Sequence, residues 1–108
     1  MQMANDNAPS LDLEVDDSLR ALAWSAADRL AVIGDYGDPA FDAALKDARR
    51  GNRDAALSRH PDGSAAEIDL TALKMDTLMM QRLVDLRRAK LEELRAQALA
   101  LGIDPSEL

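Results

Sequence analysis

Between Gly63 and Gly102 the chain runs for 38 residues without a glycine or a proline. From about Leu70 to Leu101 apolar side chains recur every three or four residues. At 1.5 Å per residue this stretch predicts a helix of about 48 Å. Helices in globular proteins average only about 11 to 12 residues, so a helix of this length has to be held along its side by other elements or by another chain. Heptad position a falls on Leu70, Thr77, Val84, Leu91 and Ala98, and position d on Leu73, Met80, Arg87, Leu94 and Leu101. Only Thr77 and Arg87 break the apolar seam. Four to five heptads with charges beside them (Lys74, Arg88 and Arg95 at e; Asp69, Asp76 and Lys90 at g) predict a coiled-coil or bundle seam.

The two halves of this helix differ. From Met75 to Leu86 the apolar residues spread over roughly 240° at 100° per residue, which requires burial on several sides. Beyond Arg87 the stripe narrows to Leu91, Leu94, Ala98 and Leu101. The first half is therefore expected in a bundle with the preceding helices, and the second half is expected to project. A buried cation in a seam is costly unless it is paired, so Arg87 is read as exposed, at a shift in the seam. Met75, Leu78, Met79, Leu83 and Leu86 read either as core or as a candidate groove for a partner helix, because Met adapts readily to varied surfaces.

The composition of the whole chain also favours helix. Of its 51 apolar residues 20 are Ala and 17 are Leu, while Val and Ile supply three each. Ala and Leu are strong helix formers, and β-branched residues favour strands. The expected fold is all-α, a single small domain over 17–108. Its helices are expected at about 17–33, 39–50, 52–59 and 69–101, after a polar, acidic and extended segment 1–16. Asp17 or Ser18 is placed to cap the first helix, Gly34 to end it, and Asp38-Pro39 to start the second. Ser64 and Glu67 have capping-box spacing, with Asp69 and Thr71 as later candidate starts. Leu11, Leu13 and Val15 alternate with acids, a weak edge-strand signal. An Ala-rich core is thin, and small domains are marginal even with a full one, so a partner or a second copy is expected to supply buried surface.

Charge and residue types narrow the function classes. There are 20 Asp and Glu against 13 Lys and Arg, a net charge of −7, with one His and no Cys. The absence of Cys removes disulfides, thiolate metal sites and cysteine nucleophiles. Residues 1–45 hold nine acids and two bases, and residues 46–63 hold five bases (Lys46, Arg49, Arg50, Arg53, Arg59) and three acids. The acidic half reads as a solvated face or as a docking surface for a basic partner. The 46–59 patch, with Arg82, Arg87, Arg88, Lys90 and Arg95, is the only candidate phosphate contact. It lacks interleaved aromatics. His60 sits in an apparent loop with no organised nucleophile. Asp35, Asp38 and Asp42 do not have the spacing of a calcium loop, and there is no phosphate-binding glycine loop. No catalytic, cofactor-binding or metal-binding residues are assigned.

These readings point to a non-enzymatic, cytoplasmic interaction module, a regulatory adaptor or inhibitor. It is expected to form a homo-oligomer, in the first instance a dimer, through Leu70, Leu73, Met80, Val84, Leu91, Leu94, Ala98 and Leu101, to bind another protein, and to have no membrane span or cofactor. One alternative is a structural subunit of a larger assembly such as a phage particle or multiprotein machine. A second is a nucleic-acid-associated protein using basic residues in 46–59 and 82–95.

Overall fold

The computed structural model describes residues 13–104 and 106. It is all-helical: α1 spans Asp17–Ile33, α2 Pro39–Arg59 and α3 Ala65–Ala100, and no strand occurs among the described residues. The 36 residues of α3 extend about 54 Å, against about 26 Å for α1 and about 32 Å for α2. Both shorter helices pack on the first part of α3, so its C-terminal third overhangs the bundle.

Local chemistry sets the ends. The N-cap of α1 is Asp16, one position before the predicted candidates. Its carboxylate accepts from the Ser18 hydroxyl at 2.7 Å and from the Leu19 N–H at 3.0 Å. These bonds, the Ser18 hydroxyl foremost and then the Leu19 N–H with help from Arg59, hold the Asp16 carboxyl below its ordinary value of 3.8. Gly34 ends α1 as expected. Asp38 occupies the N-cap position of α2 with Pro39 in the first turn. Its carboxylate turns back to the Asp35 N–H at 3.3 Å and does not cap the helix. The Ser64–Glu67 capping box is formed in both directions, which starts α3 several residues before the predicted 69.

The break expected at Gly51 is absent, and α2 is one helix. A glycine inside a helix costs roughly 1 kcal/mol relative to Ala. Here the residues on both sides belong to a single inward face, Phe41, Leu45, Ala48, Asn52 and Ala56, whose 4-3-4-4 spacing continues through Gly51. Packing of that face outweighs the local penalty. Residues 60–63 end α2: the His60 N–H bonds to the Ala56 and Leu57 carbonyls, and Gly63 N–H bonds to the His60 carbonyl.

The main core joins all three helices through Leu19, Ala23, Ala26, Ala27 and Leu30 of α1, Phe41 of α2, and Met75, Leu78, Met79 and Leu83 of α3. Ala56, Ile68 and Ala72 form a smaller cluster where α2 meets the start of α3. Of the five α1 positions three are Ala and two are Leu, which lets α1 approach closely but buries little area. The candidate groove is thereby corrected. Met75, Met79 and Leu83 are completely buried and Leu78 nearly so, because α1 and α2 occupy the face that a partner helix would have used, whereas Leu86 is half-buried and lines a shallow groove with Ala31 and Val32. Leu13 and Val15 pack against this core without forming a strand. Leu11 and the polar segment 1–10 lie outside the described residues.

Candidate interaction surface

Most of the predicted seam is exposed along α3, while Met80 packs against the edge of the core. Leu70 is 45% exposed, Leu73 51%, Val84 48%, Leu91 45% and Leu94 44%, and Leu101 at the C-cap is 77% exposed. Met80 and Thr77 are half-buried. On the bundle half the stripe forms one wall of a shallow groove of about 750 Å³, with Arg49 of α2 opposite Leu73, Thr77, Met80 and Val84. On the overhang the stripe continues beside Val32 of α1, which is 85% exposed. A further shallow groove between α1 and α2 is lined by Leu22, Ala26, Leu30, Ile33, Ala44 and Ala48.

Two seam positions differ from expectation. Ala98 is only 5% exposed. The helix closes in a Schellman motif, with Ile103 N–H on the Ala98 carbonyl at 2.8 Å and Gly102 N–H on the Leu99 carbonyl at 3.0 Å. Gly102 takes the left-handed φ of 79° that this motif requires. The motif brings Ile103 back over Ala98, so the chain itself covers that position.

Arg87 is the larger correction. It is not an exposed seam residue. Its guanidinium donates to the Gly34 carbonyl at 2.7 Å, lies 4.8 Å from the Tyr36 ring centroid and 4.9 Å from that of Phe41, and sits 3.8 Å from the Asp35 carboxylate. The last turn of α1 has no basic residue, so α3 supplies the cation that complements the carbonyl end of that helix dipole. Arg87 thus fastens the α1–α2 turn to α3. That empty last turn was the one sequence clue to this contact.

Most of the basic patch is neutralised within the fold. Arg50 pairs with Asp47 at 3.2 Å, Arg53 with Asp69 at 2.6 Å and Arg59 with Asp16 at 3.0 Å. Lys46 and Arg49 have no ion pair among the described residues. Arg82 pairs with Asp28 at 3.1 Å while lying 5.7 Å from the Trp24 ring, and Arg20 lies 5.9 Å from the same ring. Trp24 thus has a cation from α1 and a cation from α3 against its ring.

The groups weighed for chemistry are otherwise engaged. His60 Nε2 lies 3.0 Å from Thr71 Oγ1, which ties the α2–α3 turn to α3. Asp38 and Asp42 accept from backbone N–H groups of the α1–α2 turn. Among the described residues no group of three or more His, Asp or Glu is placed to hold a metal ion, and no helix is long and apolar enough to cross a membrane. The buried polar side chain Asn52 donates to Asp76 at 2.8 Å and contacts Met79 Sδ at 3.7 Å, which fixes α2 against α3. No protein family, curated protein or solved structure matches the chain.

Proposed function

We propose that this chain is a non-enzymatic protein-interaction module that self-associates through the exposed stripe of α3. The observation that carries the reading is the row Leu70, Leu73, Val84, Leu91 and Leu94. All are near half exposed, all follow one stripe of α3 apart from its fully buried residues, and the row reaches past the end of the bundle. Isolated exposed leucines are ordinary on protein surfaces, but an aligned row of this length is the mark of an interface. The commitment of His60 and of the turn carboxylates to structural bonds supports a role without catalysis. The ion pairing of Arg50, Arg53 and Arg59 weighs against a phosphate-binding face.

Light scattering after size exclusion tests the proposal. The wild-type chain is expected to associate at micromolar concentration, and the variant Leu91→Asp with Leu94→Asp to run as a folded monomer. A wild type that stays monomeric, or a double variant with unchanged association, contradicts it.

A further inference from the structure

We infer that the second copy lies antiparallel on the α3 stripe, centred between Asp85 and Leu86. The inference rests on the self-association reading above and specifies its geometry. A stripe about 48 Å long on a helix roughly 10 Å wide offers on the order of 500 Å² per copy. Two such faces reach the roughly 1,000 Å² at which a specific interface becomes credible, but only if the whole stripe is used.

Both orientations use the whole stripe, and the layers distinguish them. In the parallel, in-register arrangement each residue meets itself. Thr77 then faces Thr77, the covered Ala98 faces Ala98, and the two Arg87 layers coincide beside the Gly34 contacts that hold them. In the antiparallel arrangement no polar residue faces its own kind. Leu94 meets Thr77 of the second copy, Leu91 meets Met80, and Leu101 meets Leu70. Leu73 meets the turn where Ile103 covers Ala98, and Val84 meets the aliphatic stem of Arg87. The overhang of each copy rests on the half of the stripe that the other copy's bundle supports, so neither overhang has to pair as an isolated helix of about 13 residues, a length that is marginal alone.

Charge favours the same choice. Asp85 and Arg88 flank the stripe and have no ion-pair partner among the described residues. Antiparallel pairing about this centre sets Asp85 of each copy beside Arg88 of the other, giving two reciprocal pairs. Each orientation carries a like-charge contact, Lys90 with Arg95 when parallel and Lys74 with Arg95 when antiparallel, and the one opposite-charge pair that parallel pairing would set across the seam, Asp69 with Lys74, uses an Asp69 already bound to Arg53 at 2.6 Å.

A chain without Cys suits disulfide trapping. Single-cysteine variants Thr77→Cys and Leu94→Cys are oxidised separately and as a mixture, with light scattering on the same samples before oxidation. In the antiparallel dimer identical positions at 77 are about 25 Å apart, beyond the ~7 Å limit for a disulfide, whereas 77 and 94 are in register. The mixture is expected to give at least ten-fold more cross-linked dimer than either variant alone. The pair Met80→Cys and Leu91→Cys should repeat the pattern if Leu94→Cys weakens association. Cross-linking of Thr77→Cys by itself overturns the antiparallel assignment and leaves self-association standing. A dimer in solution with no cross-link from either pair overturns the register. Monomers throughout overturn both the inference and the reading beneath it.

Discussion

Replacing Arg87 with Leu separates two roles that the heptad pattern alone confuses. If Arg87 belonged to the seam, Leu would complete the apolar stripe and strengthen association at no cost to the monomer. In the structure it instead fastens the α1–α2 turn, through a 2.7 Å bond to the Gly34 carbonyl and two ring contacts under 5 Å. Loss of a charged hydrogen bond costs about 1.5–3 kcal/mol. The ring contacts add about 0.5–1 kcal/mol. The Asp35 pair adds little, because Asp35 is 91% exposed and its partner is 3.8 Å away. Leu recovers about 1 kcal/mol by covering part of the same surface, and water can reach the half-buried Gly34. The expected net loss is about 2 kcal/mol, or roughly 10 °C in Tm for a domain of this size. Urea and thermal unfolding followed by circular dichroism measure it. Both should be run in the Leu91→Asp, Leu94→Asp background so that association does not add to apparent stability. An Arg87→Leu protein that is as stable as its parent, or more stable, refutes the fastening role.

Three further substitutions test other parts of the fold. Gly51→Ala should stabilise by about 0.5–1 kcal/mol, because Gly51 lies inside a continuous α2 and an added methyl meets nothing within 4 Å; a drop in the urea midpoint would restore the break at Gly51. Asn52→Asp places a second carboxylate where the amide donates to Asp76 at 2.8 Å. It should destabilise by about 1–3 kcal/mol at pH 7. One of the paired carboxyls then has its pKa raised in the folded state, so the deficit should shrink as pH falls toward 5, and a pH-independent deficit would contradict the pairing. Asp16→Ala removes the cap of α1 and should lower Tm at neutral pH. Because the folded carboxyl titrates below its ordinary 3.8, its contribution is complete above that value and is lost as pH falls through the lower folded value. Tm of wild type and variant should therefore converge in acid, and a constant gap from pH 7 to pH 2 would argue against the cap.

The fold class and the long helix were legible because a 38-residue run free of Gly and Pro, rich in Ala and Leu, has few alternatives. The Ser64–Glu67 box marked the start of α3, although a later residue was preferred from the apolar pattern alone. Gly51 misled because a local penalty was weighed without the face that continues through it. Arg87 misled because heptad arithmetic treats each seam position as facing outward, and the contact that claims it comes from Gly34 and Tyr36, some 50 residues earlier. Burial of Met75 and Met79 was equally a tertiary matter, since the same pattern serves a core or a groove until the packing of α1 and α2 is known. The stripe from Leu70 to Leu94 was legible as an aligned apolar row because its spacing is local. Only the fold could show that Leu70, Leu73, Val84, Leu91 and Leu94 stay near half exposed.

The proposal that this stripe holds two copies together rests on association in solution. Sedimentation velocity of the wild-type chain across a concentration series from below one to several tens of micromolar tests it most directly. A shift from the mass of one chain to twice that mass is expected as concentration rises, with the shift abolished by Leu91→Asp and Leu94→Asp. A single species of one-chain mass across the whole series would contradict it.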